Sequence, residues 1–314
     1  MRRHRIASFL LLAFGISWAL VGVGWILGAR HAGHPFYGVV AAVCMFGPAI
    51  AAIIQQRLID RDSWEGLGSR FRDTRWKMLA WTALLGMLLV PTVLLVIHLL
   101  GNMGGWDAIG RVSMTSERLV RSIQDIAAAQ GVPVPEGQLK LLTSVPAAMV
   151  LVILQLVALL GALTFNVPFM LGEELGWRGY LWQRTAHWSG SRRVLFTGVA
   201  WGLWHAPLIL MGHNYPSAPW SGVGMMVVLC VLFALFFDWS RTRSGSVWSS
   251  VLLHGLINGS AGGFVLFAGG GHPLVATPVG VAGFIAFALL GGALLLLDRD
   301  YRSCLLATRS PVTS

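Results

Sequence analysis

The sequence predicts an all-α protein: a polytopic transmembrane helix bundle of about eight spans, with both termini cytoplasmic. Three observations predict it. Of 314 residues, 55% are hydrophobic and only 11% are charged, whereas a soluble domain carries about 25% charged residues. The apolar residues gather in runs close to the ~20 residues that a helix needs to cross a bilayer. The basic residues then fall on one side of the spans those runs define. Of 23 Lys and Arg, 18 lie in the N-terminal arm and in segments 56–77, 172–193, 239–246 and 298–314, and 5 lie in the alternate loops. This is the asymmetry of a chain whose basic loops face the cytoplasm.

In order, the predicted spans are 6–28, 36–55, 78–100, 145–171, 194–212, 221–238, 247–268 and 278–297. Each is expected to be a helix, because irregular backbone in lipid leaves its polar groups unsatisfied. The first span imitates a signal peptide. Its uncharged run from Ile6 to Gly28 has 23 residues, too long for a typical leader, and it reads as an uncleaved span. The loop "RLIDRDSWEGLGSRFRDTRWK" at 57–77 mixes both charges and suits a surface lying against anionic headgroups. In the longest outer loop, 101–144, "SERLVRSIQDIAAAQG" puts Leu119, Ile123 and Ile126 on one face before Gly131, the pattern of an amphipathic helix on the outer surface. Pro48, Pro91, Pro146 and Pro168 fall in or near spans and mark kinks or span ends. The chain divides into a three-span region, 1–144, a core, 145–268, and a last span with its tail, 269–314.

Composition also excludes some classes. The net charge of +10 does not indicate a nucleic-acid partner, because no basic soluble domain is present to hold a duplex. Cys44, Cys230 and Cys304 are scattered and make no disulfide framework. No inverted repeat of the transporter kind is evident.

The informative residues are the polar ones at span depth, where charges are costly. Asp238 precedes "WSRTRSGS", so Arg241 and Arg243 are placed to neutralise it. In "GEELGWRGYL", at 172–181, Glu174 and Arg178 are four apart on one helical face and form the natural pair. Neighbouring helix positions point about 100° apart, which leaves Glu173 free of that pair as a candidate general base. "WGLWHAP" carries His205 inside a span, and "HGLINGS" carries His254 and Asn258 on one face. His254 is seven residues beyond Val247, roughly 10 Å along the helix. Glu173, His205, His254 and Asn258 are expected to converge on one wet cavity open to the cytosol. The remaining histidines lie in loops or at span ends and read as structural.

These three stretches, "EELGWR", "WGLWH" and "HGLIN", resemble in order and spacing the motifs of the CAAX-protease and bacteriocin-processing (CPBP) family of intramembrane proteases. The resemblance runs from Glu173 to Asn258, 86 residues, with Trp201 where that family usually has Phe. It implies a membrane endopeptidase of CAAX-type or bacteriocin-related substrates; the lack of targeting signals fits a bacterial inner (plasma) membrane, and the predicted topology puts the site toward the cytoplasm. The partners implied are a membrane-associated peptide or protein and the bilayer. On that resemblance the catalytic set is Glu173, Glu174, His205, His254 and Asn258, with Arg178 and Trp201 as support. Glu173 would activate water with help from His205, and His254 and Asn258 would hold the oxyanion. Zinc on His205, His254 and Glu173 is the metal-dependent alternative. Metal-free glutamate catalysis is the other, because no HExxH is present and Asn is a poor zinc ligand. Two non-enzymatic readings stand beside the protease: an immunity or interaction protein, and a proton-coupled transporter. The C-terminal "SPVTS" is not itself a CAAX box.

Overall fold

Apolar runs in lipid leave the backbone no partner but itself. The computed structural model, which describes residues 2–129 and 131–307, is helical along nearly all of them. The "SPVTS" segment lies outside the described residues. The helices are α1 (Arg2–Ile26), α2 (Tyr37–Ile59), α3 (Trp76–Met103), α4 (Ser116–Ala129), α5 (Glu136–Thr143), α6 (Ala147–Leu163) and α7 (Val167–Thr185). After them come α8 (Gly190–Trp204), α9 (Ala206–Leu210), α10 (Pro219–Ser244), α11 (Val247–Phe267), α12 (Val281–Leu297) and α13 (Arg299–Leu306).

Among the described residues, five helices are long and apolar enough to cross a membrane: His4–Ile26 within α1, then α2, α3, α10 and α11. Two bent pairs, α6 with α7 at 65° and α12 with α13 at 105°, raise the number to seven if each is one span. The chain is an integral membrane protein with an all-α, polytopic fold. The expectation of eight spans differs at 194–212. That run forms the 15-residue α8 and the five-residue α9, broken at His205. Pro207 has no N–H to donate back into α8, so the hydrogen-bond ladder is interrupted there and a new short helix starts.

The amphipathic helix of the long loop is α4. Leu119 on it is fully buried, Ile123 is partly covered and Ile126 is exposed. The loop before α4 is tied down by a feature that the sequence does not announce. Strand β1 (Arg111–Val112) pairs antiparallel with β2 (Ala268–Gly269), in register Arg111↔Gly269.

At the opposite end, buried ion pairs lock the helices. Asp238 takes Arg193 Nε at 2.6 Å and Nη2 at 3.0 Å, and also the Tyr301 hydroxyl at 2.9 Å. The pairing of Asp238 with Arg241 and Arg243 is therefore corrected. Arg243 reaches Asp298 at 2.9 Å, and Arg241 Nε donates to the Arg178 carbonyl at 3.0 Å. Asp60 binds Arg184 at 2.8 Å and Tyr180 at 2.6 Å, joining the end of α2 to α7.

Candidate active site

Helices α7, α8 and α11 carry the polar residues, and each is seated by a pair of glycines four apart. A β-carbon at Gly172 would lie 2.8 Å from the Met45 carbonyl oxygen, and one at Gly176 would lie 2.5 Å from Pro48 Cβ. Backbone thus rests on backbone, and α7 is pressed onto α2 on either side of Glu173. Small residues allow this close approach in membrane bundles. Gly198 and Gly202 seat α8 on α10 in the same way, and Gly255 and Gly259 seat α11 on α6.

Straight after Glu174, α7 changes to a π-helical stretch, Leu175–Leu181. Such segments occur frequently at functional sites. The Glu174–Arg178 pair survives the change, with Arg178 Nη1 donating to Glu174 Oε1 at 3.0 Å. The guanidinium is sandwiched between Trp201 and Phe237, its carbon 4.3 Å and 4.0 Å from the two ring centroids. That is how so greasy a chain keeps this cation: paired, and stacked on two π faces. Glu174 also accepts from His254 Nδ1 at 2.8 Å.

Glu173 points elsewhere. Its Oε2 accepts the indole N–H of Trp201 at 2.8 Å. His205 Nδ1 lies 2.8 Å from the Trp201 carbonyl. That carbonyl is available because α8 ends there: the His205 N–H bonds Gly202 O instead. A carbonyl only accepts, so Nδ1 of His205 carries the proton and Nε2 presents a lone pair. The same logic puts a proton on His254 Nδ1, facing the Glu174 carboxylate. His254 Nε2 can then donate only from the imidazolium form.

Glu173, His205, His254 and Asn258 all border one cavity of about 370 Å³. The expected convergence is present in the structure. Glu174 and Arg178 do not border it; they lie behind, buried at 0% and 2% exposure. Asn258 is exposed, and among the described residues its amide makes one long contact, to Met170 Sδ at 3.5 Å. Met45 and Leu89 from the first 144 residues form part of the wall, a role that their apolar spans did not signal.

Apart from Glu173, at the start of the basic segment 172–193, the cavity's lining holds no residue of the basic loops, and it includes His213, Asn214, Pro278 and Val279 from loops at the other end of the bundle. From sequence, His213 reads as a structural loop residue. Burial pushes its imidazole below the ordinary histidine range, so it faces the cavity uncharged at neutral pH.

The zinc alternative does not fit. Among the described residues, no three of His, Cys, Asp and Glu converge closely enough to hold a metal ion, so Glu173, His205 and His254 do not form a zinc site. The three cysteines are unpaired.

Fold and site together define a class: a polytopic membrane protein whose interior holds a carboxylate, two imidazoles and an amide around one cavity. The class narrows with sequence similarity. Residues 139–260 match the model of the family described as type II CAAX prenyl endopeptidase Rce1-like. The chain is also similar to CAAX prenyl protease 2 of Methanococcus maripaludis, 29% identical over 93 residues, which is 27% of this chain and 34% of the relative. The chain thus spans about a third of the length of that curated relative. Over this segment, the resemblance to CAAX proteases carried by the three motifs is borne out.

Proposed function

We propose that the protein is an intramembrane endopeptidase that hydrolyses a peptide bond of a membrane-associated, CAAX-type or bacteriocin-related substrate. The observation that carries this is the meeting of Glu173, His205, His254 and Asn258 on one cavity, within a segment that matches a CAAX endopeptidase family. Glu173 takes a proton from water, while His205 Nε2 accepts the water's other hydrogen and aims its lone pair at the scissile carbonyl. His254 and the Asn258 amide donate to the tetrahedral oxyanion. Glu173 then returns its proton to the leaving amine. No step runs through a metal. The 18-to-5 distribution of basic residues supports cytoplasmic termini. In that orientation the cavity extends from the site toward the outer loops.

The test is cleavage of a prenylated CAAX peptide and of a tagged membrane-peptide library by the purified, detergent-solubilised protein. Wild type is expected to cleave with or without a chelator, and Glu173→Gln to lose cleavage while keeping its melting profile. Full activity in Glu173→Gln would remove Glu173 from the chemistry. Loss of cleavage in chelator, restored by zinc, would reopen the metal reading.

A further inference from the structure

Read from sequence, Trp201 is an aromatic support, a role that any aromatic ring could fill. The structure uses the one part of tryptophan that phenylalanine lacks. The indole N–H donates to Glu173 Oε2 at 2.8 Å, and both residues are buried, at 3% and 2% exposure. No other hydrogen bond to Glu173 is found among the described residues.

The donor itself is immobilised. Arg178 lies over the indole ring, and Phe237 and His254 meet it edge-on at centroid distances of 5.2 Å and 5.5 Å. Gly198 and Gly202 hold the helix beneath it against the backbone of α10. The backbone of the same residue fixes the second reacting group, because the Trp201 carbonyl holds His205 Nδ1. One residue therefore sets the carboxylate with its side chain and the imidazole with its main chain.

We propose that Trp201 is the positioning residue of this site: its indole N–H anchors Glu173 through Oε2 and reserves Oε1 for the attacking water. The proposal rests on the reading of Glu173 as the base. A carboxylate with both oxygens free rotates about its last torsion, whose preference is broad, whereas one pinned oxygen leaves a single orientation for proton transfer. Orientation of this kind is felt in turnover and not in substrate affinity.

The experiment replaces Trp201 with 3-benzothienylalanine, which keeps the bicyclic shape but has sulfur in place of the N–H; Trp201→Phe and Glu173→Gln are run beside it. With a peptide that the wild type cleaves, the isostere is expected to lower kcat about 10- to 100-fold, the effect of one hydrogen bond to a charged group. KM should stay at the wild-type value, and the melting temperature should fall by no more than the loss of one buried hydrogen bond. Wild-type kcat in the isostere, with Trp201→Phe impaired, would mean that the ring only packs and would overturn the proposal. If Glu173→Gln is itself fully active, the base reading fails first, which is a different result. A second readout needs no substrate. In nitrogen-15 tryptophan-labelled protein, the indole resonance missing from Trp201→Phe should lie downfield and move when Glu173 becomes Gln. An unmoved resonance would overturn the proposal even if no peptide is cleaved.

Discussion

The buried Arg178 offers the sharpest test of the packing, through Arg178→Met. The substitution preserves length and apolar bulk but strands Glu174, which is 0% exposed and has His254 as its remaining partner. Breaking a buried pair by removing one member costs about 3–5 kcal/mol. Part of this is loss of the guanidinium sandwich between Trp201 and Phe237, about 2 kcal/mol for a desolvated cation on an aromatic face. The rest is the stranded carboxylate. Adding Glu174→Gln removes that charge and leaves a carbonyl oxygen for His254 Nδ1. The double variant should therefore recover about 1–3 kcal/mol of the loss. Unfolding in mixed detergent–SDS micelles gives all four corners of the cycle. A single variant within about 1 kcal/mol of wild type, or a double variant no more stable than Arg178→Met, would refute the argument that the pair neutralises a buried carboxylate.

Two further outcomes follow from the geometry. His254→Ala and Asn258→Ala should each lower kcat about 10²- to 10³-fold, as loss of an oxyanion donor does, with KM little changed; steady-state kinetics on a cleaved peptide checks this, and a pure KM effect would move both residues to substrate binding. Gly176→Leu drives a side chain into Pro48, whose Cβ already lies 2.5 Å from the β-carbon position. It should cost about 1–3 kcal/mol and abolish cleavage by lifting α7 from α2; a melting curve and activity unchanged from wild type would contradict the contact.

What the sequence could reveal followed the reach of helical periodicity. Glu174 and Arg178 are four apart, and their pairing was legible because both sit on one turn. So was the shared face of His254 and Asn258. The arginines nearest Asp238 in the chain are the ones periodicity offers it, yet its partner Arg193 is 45 residues away on α8. Arg241, three residues on, is turned instead over the Trp182 ring. Such a choice is made by the packing of four helices, and no local pattern encodes it. The break in 194–212 has Pro207 as its mark, inside a run whose apolar length alone reads as one span. The donor role of Trp201 had a trace in the sequence: an indole four residues before His205 puts its N–H and its carbonyl within one turn of the same site. The strand pair joining Arg111 to Gly269 spans more than 150 residues with two residues on each side, too short to leave any alternation to read.

The three glycine pairs bear on how the site would look to a mutational scan. Gly172, Gly176, Gly198, Gly202 and Gly255 leave no room for even a methyl group without displacing a neighbouring helix, and at Gly259 Ala158 would have to give by a few tenths of an ångström. Scored by survival or activity alone, these six positions would rank with Glu173 and His205. A map of intolerance would then enlarge the active site to include residues that touch no substrate. Scoring abundance in the membrane alongside activity separates the two groups: the glycine variants lose both, and the carboxylate and imidazole variants lose only the second.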